Sequence, residues 1–525
     1  MKKLLILFFI SSFAFSQTMP INFRLSSESL TKIYDITPAS NSISDIVIAD
    51  DMIWLATSKG LSKSIDNGEN WINYYQTEAF GEEGVVGLGF RNNVIWTTTG
   101  HTTEASGQNL PEGSGIRYST DFGETWNKIS QPVDDPGDSL ITYGINTIRA
   151  LPVTTTIQNI SWDISFTKNT VWIASFAGGL RKSIDMGKTW IRVLLPPDNL
   201  DNIHPNDTLN FSLQPVAGNF GPENHLNHRV FSVVGVNDST LFVGTAGGIN
   251  KSTDNGISWK KFNHQNQDHP ISGNFVTALG YDRVTNTLWG ATWKAEDLAE
   301  NWGVSATTNG GLSWEVFLPG EKAHNFGFKY ITNGSGNDES HVFVPTDNGI
   351  FRSSDFGNNW ISPAVIQDDE TKIPLSTDVF YSVNTKKRED LSTDIWIGSD
   401  DGLVRLNESG GFWEGEWTVF LTSPPVKEET ETFAFPNPFS PNIQSVKIKY
   451  VSPRSSVNVT IRIFDFGMNL VRTLIQNAPR VGEQDKIEFW DGRNEVGKIV
   501  PNGTYFYRID IDDDEPLFGK ILVLK

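Results

Sequence analysis

A chain of 525 residues with 42 Lys+Arg against 62 Asp+Glu carries a formal net charge of −20, which repels phosphate backbones and sets nucleic-acid binding aside. Hydrophobic residues make up 38% and aromatics 12%, with 17 Trp and 33 Phe, too apolar a balance for a disordered chain. The lack of cysteine excludes disulfides, zinc ribbons and thiol nucleophiles, and 46 Gly with 25 Pro favour many short strands over long helices.

The chain opens on Met1-Lys2-Lys3, an apolar run from Leu4 to Phe15, and Ala14-Phe15-Ser16 before Gln17. This is the order of a secretory signal peptide, expected over residues 1–16. The apolar run falls short of the ~20 residues that span a bilayer. No cysteine is present to carry a lipid, and no later stretch is long and apolar enough to cross a membrane. Export to the medium or the outer cell surface is therefore expected.

A repeat follows. Ser-x-Asp-x-Gly-x-x-Trp occurs at Ser64, Asp66, Gly68, Trp71 and at Ser119, Asp121, Gly123, Trp126. It returns at Ser183, Asp185, Gly187, Trp190, at Ser252, Asp254, Gly256, Trp259, and at Ser353, Asp355, Gly357, Trp360. A degraded copy reads Thr307, Asn309, Gly311, Trp314, and a seventh unit from Ile395 to Trp417 keeps the strands without the motif. Before each motif stand two short apolar runs joined by a Gly turn, as in Val171-Trp172-Ile173-Ala174 and Gly179-Leu180-Arg181-Lys182. The Asp accepts backbone N–H bonds in its turn, Gly supplies positive φ, and Trp packs back over the hairpin. With one more strand ahead of each unit, four strands and seven units predict an all-β, seven-bladed β-propeller over residues 17–422.

The motif resembles the Asp-box, or BNR, repeat of sialidases, sortilin-type receptors, xyloglucan-active glycosidases and photosystem assembly factors. The resemblance covers roughly residues 45–420. It implies that the Asp-box residues are structural turns away from any active centre.

Pro-rich and charged residues 423–431 read as a linker. Beyond them, alternating runs at Val446–Val451, Val457–Phe464, Val471–Ile475, Ile487–Trp490, Tyr505–Ile511 and Ile521–Leu524 predict a small Ig-like β-sandwich over 432–525. Pro436-Asn437-Pro438-Phe439, Ile463-Phe464-Asp465 with Gly467, Trp490-Asp491-Gly492 with Gly497, and Asn502-Gly503-Thr504-Tyr505-Phe506-Tyr507 are similar to the Ig-like domain of the flagellar hook-capping protein. Related C-terminal domains serve as sorting signals for type IX secretion. That resemblance implies a sorting or attachment role, with secretion machinery as a candidate partner.

Signals for catalysis are sparse. A sialidase needs three converging Arg residues and a Tyr nucleophile with a Glu partner. Arg149, Arg229 and Arg283 lie on or near expected inner strands, where single arginines ordinarily form structural ion pairs. Asp163 and Asp282 flank first strands of blades three and five, where Asp ordinarily forms turns. His225, His228, His264 and His269 sit in connecting loops without visible convergence, and Asp512 to Glu515 read as a solvated hairpin tip. No residue is assigned a catalytic, cofactor or metal role.

Insertions say more. His101–Ser114 and Trp293–Trp302 follow second strands, and Ser130–Gln158, Pro196–His228 and Asn263–Gly273 connect blades. All are predicted on the face opposite the Asp-box turns, with His101, Trp293 and Trp302 as contacts for a protein or glycan ligand. Glu104, Glu296, Asp297 and Glu300 nearby would favour a neutral or cationic ligand. Two readings stay open: a non-enzymatic binding or scaffold propeller, which we favour, and a carbohydrate-active hydrolase of sialidase or xyloglucanase type.

Overall fold

A computed structural model describes residues 31–525 apart from 106, 215–224, 296–298, 333–337, 376, 423–431, 436, 443–444, 453, 455 and 482–484. The expected signal peptide and linker lie outside the described residues.

The chain is all-β, and seven antiparallel propeller blades follow one another, the first two joined into one sheet by the parallel pair Gly60 and Gly84. Blade one runs Ile43–Ala49, Met52–Thr57, Gly60–Ser64 and Trp71–Asn73, from the inner strand outward. Blades two to seven span 84–129, 161–192, 230–262, 275–317, 327–361 and 380–420. The middles of second strands are buried without a break because neighbouring blades cover both faces, so they read as continuous apolar runs rather than alternating ones. Each holds one large aromatic residue at an equivalent place: Trp54, Trp96, Trp172, Phe242, Trp289, Phe343 and Trp396.

Opposite five of these rings, on the third strand, lies a cation: Lys63, Lys182, Lys251, Arg352 and Arg405, with 5.0–5.8 Å to the ring centroid. Three of the five also donate to a backbone carbonyl in the motif turn of the following blade. Lys63 reaches Phe122, Lys251 reaches Gly310, and Arg405 of blade seven reaches Asn67 of blade one. That last bond closes the ring, helped by Asn67 Nδ2 on Asp394 at 2.8 Å. A Cβ on Gly68, which also needs φ of +90°, would strike the Trp396 ring, so blades one and seven meet closely there.

The motif turns are closed hydrogen-bond circuits. In blade three, Ser183 Oγ donates to Asp185 Oδ1 at 2.8 Å and accepts the Gly187 N–H at 2.8 Å. Asp185 also accepts the Thr189 N–H and hydroxyl. These donors hold the Asp121 and Asp185 carboxyls down to about 2. The degraded blade-five copy keeps the circuit with Asn309 in place of Asp. Trp71, Trp259 and Trp314 are buried, whereas Trp126, Trp190 and Trp360 are only half-buried.

The His101–Ser114 insertion stays where expected, between second and third strands, and two of the others do not. His101–Ser114 is a β-hairpin, because the strands Val94–Ala105 and Gln108–Ser119 pair along their whole length. Ser130–Gln158 and Pro196–His228 do not stay on one face. Their strands Leu140–Tyr143, Asn146–Ala150 and Ser212–Leu213 form a side sheet, and Asn202–Ile203 adds a fifth strand to blade four. Ile148, Leu195, Ile203 and Leu213 pack there with Trp259, so burying apolar area at the rim draws both insertions outward.

After Thr432 come two sheets. Thr432–Phe435, Val446–Val451 and Asp485–Trp490 face Leu470–Val481, Ser456–Phe464, Gly503–Ile511 and Leu517–Val523 across a core containing Trp490, Tyr450 and Tyr507. This sandwich touches blade one through the Tyr75 and Phe489 rings, 5.3 Å apart, and through Ser445 Oγ on Gln76 at 2.9 Å. Burial there pushes the Lys447 ammonium, 4.0 Å from Asp35, down to about 8.

Candidate functional site

Inner strands begin, and second strands end, on the face opposite the motif turns. On that face a series of half-buried aromatic residues crosses blades three to seven. Phe176 lies 5.7 Å from Phe231, and Phe231 lies 4.4 Å from Phe275. Phe275 is the cross-strand partner of Trp293, which meets His324 edge-on at 5.6 Å. His324 meets Tyr381 at 5.2 Å. The arc is fixed from below: Trp293 Nε1 donates to the Ala323 carbonyl at 2.9 Å, and His324 Nε2 bonds Asp347 at 2.6 Å.

Two of the three residues singled out from sequence belong to this place. Trp293 and Trp302 both pack against the Lys322 ammonium, which lies 5.8 and 5.3 Å from their ring centroids. His101 does not join them. It sits on the blade-two hairpin between Glu83, 2.9 Å from Nδ1, and Glu112, 3.4 Å from Nε2. The acidic fringe is also different from expectation. Glu300 is buried and accepts the Asn274 and Ala295 N–H groups, Glu104 lies on the blade-two hairpin, and Glu296 and Asp297 lie outside the described residues. Asp347 is the carboxylate that faces the tryptophans' cation, 3.9 Å from Lys322.

The three arginines do not converge. Arg149 is exposed on the side hairpin, not on an inner strand, while Arg283 stacks on Tyr330 just past the far end of the blade-five inner strand. Arg229 stacks over Phe176 at one end of the arc. The histidines bond separately to backbone: His228 Nε2 accepts the Leu195 N–H, and His264 Nδ1 pairs with the Ile271 carbonyl. Asp512 and Asp514 are tied to Arg454.

Asp282 is a turn former, accepting the Val284 N–H and the Thr285 hydroxyl. Asp163 is not. It stands inside the inner strand, at a bulge, and accepts the Ile164 N–H and the Val233 N–H of blade four. Asp45 does the same in blade one, accepting the Ile46 and Leu88 N–H groups, and Asn325, two residues ahead of the blade-six inner strand, donates to it at 3.4 Å. Burial is the main cause that pushes Asp45 up to about 6 and Asp163 to about 7, where the Asp45 charge adds to it. Asp45 escaped the sequence reading, although each of the two Asp residues stands nine positions before its strand-two Trp and is followed by Ile.

A pH test follows from these raised values. The native state holds protons on Asp45 and Asp163 that the unfolded chain releases near 3.8, so their contribution is lost as pH rises through about 6 and 7. Buried His228 and His341, lowered to about 3 and about 4, act oppositely, so the difference between proteins is the readout. The melting temperature of Asp163→Asn should gain on wild type as pH rises from 5 to 8. A constant difference would mean Asp163 titrates normally.

No family model matches the chain. One curated relative, a probable oligoxyloglucan-reducing end-specific xyloglucanase of Neosartorya fischeri, is 26% identical over 272 residues, 48% of this chain and 28% of the relative. The chain thus spans under a third of that protein's length. Among solved structures, an ancestral GH74 enzyme aligns over 93% of this chain and 63% of its own, with 13% identity and a TM-score of 0.49. YCF48 from Cyanidioschyzon merolae aligns over 70% and 92%, with 12% identity and a TM-score of 0.37. PorZ, a surface component of the type IX secretion system of Porphyromonas gingivalis, aligns over 92% and 87%, with 12% identity and a TM-score of 0.27.

Proposed function

We propose that the protein is an exported Asp-box propeller that captures a protein or glycan ligand on its loop face without cleaving it, while the C-terminal Ig-like module (432–525) serves sorting or surface attachment. The observation that carries this reading is the aromatic arc from Phe176 to Tyr381, half-exposed and held by a rigid scaffold. Large flat rings stack on sugars or fill a partner's pocket, and few side chains give as much energy per contact. The inner-strand carboxylates support capture over catalysis, since backbone N–H groups occupy both oxygens of Asp45 and of Asp163. Export rests on the Met1–Ser16 segment; among the described residues no helix is long and apolar enough to cross a membrane.

A glycan array and a surface-protein pull-down, run on wild type and Trp293→Ala/Trp302→Ala, test it. Capture by wild type and loss in the double variant is the expected result. A ligand bound equally by both would move the site elsewhere.

Glycoside hydrolysis is the second reading, favoured by the xyloglucanase relative and by the raised Asp45 and Asp163 pair. Release of reducing ends from xyloglucan oligosaccharides, abolished in Asp163→Asn, would establish it in place of capture. No release is expected.

A further inference from the structure

We propose that Trp293, Trp302 and Asp347 form a receptor for an alkylammonium group, and that the chain's own Lys322 occupies it; the proposal rests on the loop face being the binding face. The geometry is that of a cation site. One ammonium lies within 6 Å of two indole rings and 3.9 Å from a carboxylate oxygen. Trp293 and Asp347 are held at their side chains and Trp302 at its backbone, while the occupant is not anchored. Trp293 is anchored to Ala323 and wedged by His324, the Trp302 carbonyl accepts the Gly320 N–H, and Asp347 is held by His324. Lys322, by contrast, has a 41% exposed side chain on a flexible stem and, besides the two ring contacts, forms a long ion pair with Asp347. An incoming ammonium meets the same rings and carboxylate once Lys322 swings into water, so displacement exchanges like for like. The net charge of −20 draws cations toward the protein, whereas the internal lysine keeps small inorganic ions from filling the site.

Two sources could supply this group: a small quaternary amine, or the lysine side chain of a partner protein. Titration calorimetry on the full chain would use choline against its neutral isostere 3,3-dimethyl-1-butanol, and a lysine peptide against its acetyl-lysine form. Binding is expected for each charged probe and not for its neutral counterpart. A lysine peptide that binds tighter than choline points to a protein partner, and the reverse order to a small amine. Lys322→Ala should tighten charged-probe binding about two- to fivefold, the worth of an exposed cation–π contact. Trp302→Ala should weaken it by a similar factor. Equal binding of choline and its isostere, or no change in Lys322→Ala, would overturn the proposal. Should the array or pull-down still depend on Trp293 and Trp302 while no ammonium binds, only the ligand class is wrong; independence from both tryptophans sinks the loop-face reading itself.

Discussion

Replacing Glu408 with alanine is expected to destabilise the protein by about 3–5 kcal/mol, because the buried Arg352 guanidinium and the partly buried Lys329 ammonium lose their common partner. Glu408, on the third strand of blade seven, accepts from Arg352 Nη2 at 3.0 Å and from Lys329 at 2.6 Å, both cations belonging to blade six. It also takes the Trp413 N–H at 2.9 Å. The side chains of Arg352 and Glu408 are 1% and 2% exposed, so water cannot replace what is removed. The guanidinium is enclosed by the Phe343, Phe412 and Trp413 rings and donates to His341 Nδ1 at 2.7 Å. Burial and the Arg352 charge push that imidazole down to about 4, so it stays neutral and free to accept. Glu408→Gln keeps the shape and should lose less. Urea melts of both variants would check the order; wild-type midpoints would mean that this seam is open to water.

Trp396→Ala should cost about 3–5 kcal/mol, the range for emptying a large aromatic site in a core. Its place in the ring gives it a second consequence. Trp396 is fully buried, meets Trp71 of blade one edge-on at 6.3 Å and stacks on Phe420 at 5.5 Å. Arg405 lies over the same ring and reaches across to Asn67. Removing the indole therefore loosens the closure between the first and last blades, not the interior of one blade. Hydrogen exchange in Trp396→Ala should accelerate first in 43–73 and 393–420. Uniform acceleration over all blades would place the loss elsewhere.

The propeller was legible because its cause is local and repeated. Ser, Asp, Gly and Trp at fixed spacing build the same turn circuit five times, and a buried second strand announces itself as an apolar run. The cation before the motif Ser carried equal information in Lys63, Lys182, Lys251 and Arg352, and Arg405 stands at the matching place in blade seven, yet the partner ring lies across the hairpin, and for Lys63, Lys251 and Arg405 the backbone acceptor lies in the next blade. Spacing alone does not show such contacts. The site was legible only in part. Trp293 and Trp302 stood out as aromatic residues bounding an insertion, whereas Phe231, His324 and Tyr381 join them only because ring closure brings separate blades to one mouth. His101 stands on the hairpin after the second strand of blade two, as its place in the sequence implies, but ring closure leaves it apart from the two tryptophans of blade five. The insertions around blades three and four carry enough apolar residues to pack on the rim, so loop length was a poor guide to which face they cover.

Oxidative footprinting of the protein with its captured ligand bound is the most direct test of loop-face recognition. Trp302 is 39% exposed on the loop face, and Met186 is 40% exposed in the motif turn of blade three, on the opposite face. Binding on the loop face predicts that ligand protects Trp302 from oxidation and leaves Met186 as reactive as before. Protection of Met186 with Trp302 unchanged would contradict it.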